Sequence, residues 1–499
     1  MTEALRSRMS SLTDHRDGPR DECGVFGIYG PDHDVARLAY FALFALQHRG
    51  QESAGIATAS GEGNILAIRD QGLVAQVFDE HTLRSLEGDM AIGHVRYSTT
   101  GSSHWQNAQP VVRDDRRTLA LAHNGNLINA VELYNELTEQ GVTFASTSDS
   151  EVIAALLAMH PAERIEEAVA DVVPRLRGAF STVAVTDDAV VAFRDPHGLR
   201  PLALGVIESD EGGTRAPAYC IASESCAFDL IGARYLRDVQ PGEVVTLTER
   251  GLRTRIVGEA QRQALCVFEH IYFARPDSRM GGTVLQVARA RMGEILWREA
   301  PVDADVVIPV PDSGNAAARG LARAAGLPQD DGFIKNRYVA RTFIQPGQDL
   351  RRHGLRLKFN PLPEVVAGQR LVVVDDSIVR GNTTRQIVAM LREAGAREIH
   401  LRISAPPIKH PCHYGIDMST REEMIAHGRS VEEVAAELGA DSLHYLSIEG
   451  VYEAIGGSPD AVERTRAVHC DACFTGNYPL PGTEDAHGKH ALELPLIRA

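Results

Sequence analysis

The sequence predicts two domains of different class, an α+β domain followed by an α/β domain with a parallel sheet. From residue 23 to about 250, short apolar runs separated by Gly, Asn and Asp indicate strands and turns, with helices at 34–47 and 148–159. After about residue 255, apolar strands at 305–309 and 370–374 each precede an amphipathic helix, which is typical of a parallel sheet covered by helices. A turn at 248–251 indicates the boundary.

Length, charge and hydropathy exclude several classes of protein. The 499 residues are enough for two to four domains. The net charge of −16 disfavours a nucleic acid or an anionic membrane as the main partner. The longest apolar run, residues 38–46, is far shorter than the roughly 20 residues that cross a bilayer, and residues 1–22 lack the apolar core of a secretory signal. We therefore expect a cytoplasmic protein whose seven cysteines are thiols, metal ligands or a nucleophile rather than disulfides.

Cys23 is the first candidate for chemistry, because it stands where a polar leader meets a predicted strand. Removal of residues 1–22 would give this cysteine a free α-amine. An α-amine has a pKa of about 8 and can act as the base for the thiol of the same residue. A buried structural cysteine is the alternative when the residue is taken alone.

Four further motifs accompany the strand CGVFGI at residues 23–28. They are QHRGQES at 47–53, GHVRYST at 93–99, HNGN at 123–126 and SDSE at 148–151. As an ordered set they resemble the class II glutamine amidotransferase domain of the N-terminal-nucleophile hydrolases. The resemblance implies an αββα sandwich over residues 23–252, preceded by a propeptide at 1–22 that is removed by self-processing.

This resemblance assigns roles to individual residues. It implies that Cys23 attacks the side-chain amide of glutamine while its own amine moves the proton. Asn124 and the backbone N–H of Gly125 would form the oxyanion hole, which places donors where tetrahedral charge develops. Taken singly, these residues have ordinary alternatives, such as a hairpin turn or a surface ion pair. Glutamine would be bound by residues that suit its α-carboxylate and α-ammonium groups: Arg49, Gly50, Arg96, Thr99 and Asp149.

A second centre is expected where the string RLVVVDDSIVRGNTT occupies residues 370–384. Ligands of open parallel sheets bind beyond the carboxyl ends of the strands. The turn and the helix N-terminus that follow favour a phosphate group. The two acids suit ribose hydroxyls or Mg²⁺. A pair of acids that caps a helix is the structural alternative.

The same string resembles the 5-phosphoribosyl-1-pyrophosphate (PRPP) signature of the type I phosphoribosyltransferases, which implies such a domain over residues 253–478. Ser313, in the segment VIPVPDSGNAAA at 307–318, would join Asp375 and Asp376 in holding one Mg²⁺. The basic stretch at 335–352 would close over PRPP and exclude water, with a solvated surface loop as the alternative. The PRPP-binding residues so implied are Lys335, Arg337, Asp375, Asp376, Ser377, Arg380, Gly381, Asn382, Thr383 and Thr384.

Four cysteines beyond the first domain form a third candidate centre. Cys470 and Cys473 make a CxxC pair, and Cys266 and Cys412 are distant single partners. Spacing alone leaves a redox pair, zinc and iron-sulfur open. The surrounding segments resemble the cluster-bearing subgroup of glutamine PRPP amidotransferases, which implies one [4Fe-4S] cluster on these four thiolates, with zinc as the alternative.

The order of the two domains, with a C-terminal tail at 479–499, resembles the glutamine PRPP amidotransferase (amidophosphoribosyltransferase) family over residues 23–478. The implied reaction converts glutamine, PRPP and water into 5-phosphoribosylamine, pyrophosphate and glutamate, the first committed step of de novo purine (IMP) biosynthesis. Ammonia released at Cys23 would reach PRPP through an internal channel. The resemblance also implies a homo-oligomer, a dimer or a tetramer, that purine nucleotides inhibit.

Two other classes of function stay open from the sequence. Another class II amidotransferase, one that aminates a sugar phosphate or aspartate, would have an acceptor domain without the PRPP string. A non-catalytic PRPP sensor would need the phosphoribosyltransferase fold but not the whole set of cysteine, arginine, asparagine and aspartate in the first domain. The joint presence of both sets of motifs favours the enzyme.

Overall fold

The computed structural model describes residues 23–61, 64–97, 104–209, 216–259, 261–336, 359–416, 418, 420–482 and 492. The predicted propeptide, Thr99, Arg337 and most of the predicted closing loop lie outside these residues. Among the helices of the described ranges, none combines the length and the apolar character that crossing a membrane requires.

The first half of the chain contains two antiparallel sheets and their covering helices. The strands are β1 Gly24–Tyr29, β2 Ser53–Ala59, β3 Ile65–Gln71, β4 Met90–Arg96, β5 Val111–Asp114, β6 Thr118–Leu127, β7 Gly178–Val185, β8 Val190–Arg194, β9 Ala203–Ile207, β10 Ala218–Ala222, β11 Arg234–Asp238, β12 Glu243–Thr248 and β13 Gly251–Ile256. The helices are α1 Val35–Ala45, α2 Val74–Val77, α3 Glu80–Ser85, α4 Ala130–Glu139, α5 Asp149–Ala158, α6 Ile165–Val172 and α7 Cys226–Leu230.

The two sheets pack face to face between layers of helices. One has the strand order β11-β9-β10-β1-β4-β2-β3 and the other β13-β12-β8-β7-β6-β5. Val25 and Ile92 of the first sheet and Val183 and Val190 of the second belong to one buried apolar cluster. Helices α1 and α7 cover the outer face of the first sheet, and α4, α5 and α6 that of the second. The predicted αββα sandwich is therefore confirmed.

The second half is built on parallel strands. Its strands are β14 Leu265–Cys266, β15 Arg279–Met280, β16 Thr283–Val284, β17 Val306–Pro309, β18 Phe333–Lys335, β19 Phe359–Pro361, β20 Arg370–Asp375, β21 Glu398–Ile403, β22 Ser442–Tyr445 and β23 His469–Cys470. Its helices are α8 Leu285–Glu299, α9 Asn315–Ala325, α10 Pro363–Val366, α11 Asn382–Glu393, α12 Val431–Leu438, α13 Ile448–Gly456, α14 Val462–Ala467 and α15 Ala472–Thr475.

The central sheet of this half has the order β17-β20-β21-β22, and every neighbouring pair is parallel. Val372 and Val374 of β20 pack into one apolar cluster and Leu371 and Val373 into another, so both faces of the strand are buried. This burial explains why the strand reads as a continuous apolar run. The acid pair then lies at its carboxyl end, as the sequence predicts.

The predicted boundary at residue 252 differs slightly from the structure. Strand β13 continues to Ile256 and pairs with β12 along its whole length, so the sheet of the first half extends beyond that boundary. The tight turn between β12 and β13 is the one that the sequence indicates, but the strand after it still belongs to the sandwich. A hairpin carries both of its strands in one sheet, so the turn could not be the end of the domain.

Candidate functional site

Cys23 lies immediately before β1, in the middle of the first sheet. Strand β1 pairs with β4, with Gly24 opposite Val95, so the cysteine is carried next to the end of β4. Its Sγ donates to the carbonyl oxygen of Tyr97 at 3.2 Å. Burial raises the pKa of the Cys23 thiol to about 11, although the bond to Tyr97 and the charge of Arg96 act in the opposite direction. The thiol is thus held protonated until a base removes its proton.

Two of the predicted glutamine-binding residues surround this thiol. Arg96, the last residue of β4, is buried and lies 3.8 Å from the carboxylate of Glu52. Asp149 begins α5, and its Oδ2 accepts a hydrogen bond from the backbone N–H of Leu127 at 2.9 Å. Both charges perturb the pKa of the Cys23 thiol. A buried cation and a buried anion therefore lie within electrostatic reach of the thiol, and an amino acid substrate carries one group of each opposite charge.

The predicted oxyanion hole lies on β6. Asn124 is only 1% exposed, and its side-chain Nδ2 has no hydrogen-bond partner among the described residues. A buried amide donor without a partner is costly, so this one is available to a ligand. Gly125 follows with a φ of +145°, and a Cβ at this position would lie 2.0 Å from the carbonyl oxygen of Ala179. Only glycine fits there.

Arg49, predicted to line the glutamine pocket with Gly50, lies in the turn beside Cys23. Its guanidinium is fully buried and donates to the carboxylates of Glu224 at 2.6 Å and Glu269 at 2.7 Å. Its Nε donates to the backbone carbonyl of Cys23 at 3.1 Å. Arg49 therefore holds the main chain of the candidate nucleophile and joins it to a residue of the second half.

Gly50 serves close packing. A Cβ at this position would lie 2.5 Å from the backbone carbon of Val95. Glycine lets the turn after α1 approach the end of β4, and that approach brings Arg49 next to Cys23.

Glu224, Glu269 and Arg200 are buried charged residues near Cys23 that the sequence does not single out. All three are buried, and Arg200 Nη1 lies 3.7 Å from Glu269. Arg200 Nε also donates to the backbone carbonyl of Tyr414 at 2.9 Å. Together with Arg49 they form a charged cluster between the two halves, which we call the interdomain ion cluster.

The acid pair forms the second site, at the end of β20. The N–H of Asp376 donates to Asp375 Oδ1 at 2.9 Å, and Ser377 Oγ donates to Asp376. Burial raises the pKa of Asp376, while a hydrogen bond with Ser313 acts to lower it. The structure thus brings Ser313 of the preceding strand–helix loop to the acids. Two carboxylates and a hydroxyl are the oxygen donors that Mg²⁺ prefers when substrate phosphates complete its shell.

The predicted phosphate loop leads directly into α11. Gly381 precedes the helix with a φ of +78°, and a Cβ there would lie 2.4 Å from Ile425 Cδ1. Asn382, Thr383 and Thr384 form the first turn of this helix, and a helix N-terminus favours anions.

Two basic residues predicted to bind PRPP are engaged with acids. Arg380 pairs with Glu423 at 3.2 Å, and Lys335, the last residue of β18, pairs with Asp312. Asp312 adjoins Ser313, so the start of the predicted closing loop lies beside the acid-pair site.

The four cysteines of the third centre come together from three parts of the chain. Cys266 and Cys470 are direct neighbours in the parallel pair β14–β23, and Cys473 lies in α15. Burial raises the pKa of the Cys473 thiol, and Cys266, Cys470 and Cys412 raise it further. The other three thiols therefore lie within electrostatic reach of Cys473. No three or more His, Cys, Asp or Glu side chains of the described residues are arranged to hold a single metal ion.

Comparison with known proteins places these sites in a family. A family model described as a glutamine amidotransferase domain matches residues 94–228. An amidophosphoribosyltransferase from Synechocystis is 50% identical over 490 residues, covering 97% of this chain and 96% of the relative. The chain belongs to the amidophosphoribosyltransferase family. Enzymes of this family catalyse the first step of purine biosynthesis.

Relatives in the amidophosphoribosyltransferase family include proteins of known structure. The Bacillus subtilis enzyme is 45% identical, with 96% of this chain and 99% of the relative covered. A solved structure of the glutamine PRPP amidotransferase from B. subtilis, complexed with ADP and GMP, matches with a TM-score of 0.86 and 46% identity. It covers 94% of this chain and 100% of that one. The likeness supports the type I phosphoribosyltransferase architecture of the second half as well as the amidotransferase sandwich.

Proposed function

We propose that this enzyme hydrolyses glutamine at Cys23 and transfers the ammonia to PRPP at the acid-pair site, which gives 5-phosphoribosylamine, pyrophosphate and glutamate. The single observation that carries the proposal is the arrangement around Cys23. Cys23 is a buried thiol on which the charges of Arg96 and Asp149 act, and β6 carries a buried asparagine amide, Asn124 Nδ2, that has no partner in the described part of the chain. A non-catalytic PRPP sensor would have no use for that arrangement.

In the glutaminase half, removal of residues 1–22 gives Cys23 a free α-amine. The amine takes the thiol proton as Sγ attacks the amide carbon of glutamine, and then supplies a proton to the departing ammonia. Asn124 Nδ2 and the N–H of Gly125 donate to the oxyanion that develops. Arg96 binds the α-carboxylate and Asp149 the α-ammonium group of the substrate. Water then releases glutamate from the thioester.

In the transferase half, Asp375 and Asp376 hold the ribose hydroxyls of PRPP, and the turn from Ser377 to Thr384 surrounds its 5′-phosphate. One Mg²⁺, held with the help of Ser313, would neutralise charge on the departing pyrophosphate. Lys335 begins the segment that closes over the substrate. Closure excludes water from the reacting carbon and keeps ammonia in the enzyme. The contact between the two halves supports an internal passage for ammonia.

A [4Fe-4S] cluster on Cys266, Cys412, Cys470 and Cys473 belongs to this proposal. Cys412, Cys470 and Cys266 all act electrostatically on Cys473, and Cys266 and Cys473 are buried while Cys412 and Cys470 are half-buried. Buried thiolates need a compensating cation. A cubane suits four thiolates that each bind a separate iron. A single tetrahedral zinc, which would draw all four sulfurs to about 2.3 Å from one point, is the alternative.

Regulation, assembly and location complete the proposal. The B. subtilis relative was solved with ADP and GMP, so we expect purine nucleotides to inhibit this enzyme. We also expect a homo-oligomer, a dimer or a tetramer, and a cytoplasmic location.

The test compares two variants that should fail in opposite ways. Cys23→Ala should abolish pyrophosphate release from Mg²⁺-PRPP with glutamine but keep the release with ammonia. Asp376→Asn should abolish pyrophosphate release with both glutamine and ammonia but should keep glutamine hydrolysis. The N-terminus of each protein is determined first. Wild-type protein with Cys23 exposed and metals present that turns over neither donor would contradict the proposal.

A further inference from the structure

A loop of the second half lies directly against the oxyanion-hole strand of the first. Residues 411–416, which include Cys412, run past β6. Asn126 Nδ2 donates to the carbonyl oxygen of His413 at 2.9 Å. Arg200 Nε, from the first half, donates to the carbonyl oxygen of Tyr414 at 2.9 Å. We call residues 411–416 the docking loop.

At the centre of this contact, one glycine lies on another. Gly415 has a φ of +107°, and a Cβ at its position would lie 3.1 Å from both the Cα and the carbonyl carbon of Gly125. A Cβ on Gly125 itself would lie 2.0 Å from the carbonyl oxygen of Ala179, which belongs to β7. The main chain of Gly125 is therefore confined between β7 and the docking loop.

We propose that the docking loop positions the oxyanion hole, with Gly415 and Asn126 as positioning residues that act through Gly125. This inference rests on the proposed function, since it assigns the hole to Asn124 and Gly125. Oxyanion donors work only when they lie within about 2.7–3.1 Å of the developing charge. A displacement of a few tenths of an ångström at Gly125 therefore weakens stabilisation of the transition state without removing any catalytic group.

The proposal separates two uses of the second half. The second half of the chain carries the PRPP site, and its docking loop also completes the glutaminase site of the first half. Glutamine hydrolysis therefore depends on the docking of the two halves. Asn124 reinforces this dependence. Its amide Nδ2 has no hydrogen-bond partner among the residues described, so the packing of β6 is what keeps the donor in place.

The test is Gly415→Ala, with Gly428→Ala as the matched control. Both glycines have positive φ, +107° and +69°, so both changes introduce backbone strain. A Cβ at Gly428, however, would meet no atom within 4 Å. We expect Gly415→Ala to lower kcat for glutamine hydrolysis about tenfold or more, with KM for glutamine within about twofold. For comparison, loss of an oxyanion donor costs about 10²–10³ in kcat. Gly428→Ala should stay within about twofold of wild type.

Ammonia-dependent turnover of PRPP and the iron content report whether the second half is intact. Both should match wild type in Gly415→Ala. Asn126→Ala, which removes the bond to His413 without adding an atom, should lower the same kcat in the same selective way. Equal kcat values in Gly415→Ala and Gly428→Ala would overturn the inference. So would a loss confined to KM, or a parallel loss of ammonia-dependent turnover. If wild type with Cys23 exposed hydrolyses no glutamine, the proposed function itself fails.

Discussion

Arg49 and Glu269 form a buried ion pair across the boundary between the two halves of the chain. Their Nη2 and Oε1 atoms are 2.7 Å apart, and the two side chains are 1% and 0% exposed. Arg49 also holds the carbonyl of Cys23, and Glu269 lies in a π-helical turn, Glu269–Phe273, that leads into the second half. The main chain of the nucleophile is therefore coupled to the transferase half by charge-assisted hydrogen bonds.

Removal of one member of this pair should destabilise the protein strongly. Arg49→Ala removes the shortest ion pair of both buried carboxylates, which leaves Glu269 with Arg200 at 3.7 Å and Glu224 with His48. A broken buried pair costs about 3–5 kcal/mol. The exposed pair Arg234–Glu208 is the control, because exposed pairs contribute at most about 1 kcal/mol. Urea unfolding of Arg49→Ala and Arg234→Ala measures the loss of unfolding free energy in each variant. Equal losses in the two variants would mean that the interdomain ion cluster does not stabilise the fold.

Glu224 should make stability depend on acid pH. Burial alone would raise the pKa of its carboxyl, but His48 and Arg49 outweigh burial and hold the pKa well below its ordinary value. The ordinary value is about 4.3. Because the folded pKa is the lower one, the stabilisation is complete above about pH 5 and is lost as the pH falls below about 4 toward the folded pKa.

The measurement is the unfolding midpoint of wild type and Glu224→Gln between pH 7 and 3.5. Wild type should be the more stable at neutral pH, and the difference should shrink as the pH falls. Glu208→Gln, in the exposed pair with Arg234, should show a small difference throughout. A gap between wild type and Glu224→Gln that stays constant over the whole range would contradict the charge-based account.

The elements of the fold could be predicted from the sequence because local apolar patterns determine them. The helices at 34–47 and 148–159 are confirmed as α1 and α5, since each carries the apolar face that a sheet buries. The position of Asp375 and Asp376 follows from the same reasoning. A fully apolar strand is a central strand of a parallel sheet, and ligands bind beyond the carboxyl ends of such strands.

The contacts between the two halves could not be predicted in this way. Arg49 and Glu269 are 220 residues apart, and no pattern in the sequence indicates that they pair. Their burial depends on how the halves dock, which no local pattern contains. Gly415 is a similar case. A side chain at this position would crowd the main chain of Gly125, and no turn pattern in the sequence indicates that contact.

Asn124 should matter to the glutaminase reaction alone. Asn124→Ala removes the side-chain donor of the proposed oxyanion hole, so we expect kcat for glutamine hydrolysis to fall about 10²–10³-fold. The side chain makes no hydrogen bond through Nδ2 within the described ranges, so its loss should hardly change stability. Ammonia-dependent turnover in the same preparation is the control. If glutamine hydrolysis and ammonia-dependent turnover of PRPP fall together, the asparagine has a structural role instead.

Cys473 should be essential for the cluster, whereas Cys220 should not. Cys473 is buried, and three other cysteines act on its pKa, while Cys220 packs in the apolar core between α1 and the first sheet. Both are buried thiols, so Cys220→Ser controls for the loss of a buried sulfur. Under anaerobic purification, Cys473→Ser should lose iron and acid-labile sulfide, and Cys220→Ser should keep both near four per chain, as one [4Fe-4S] cluster requires. Zinc without acid-labile sulfide in the wild-type protein would show that these cysteines hold zinc rather than an iron-sulfur cluster.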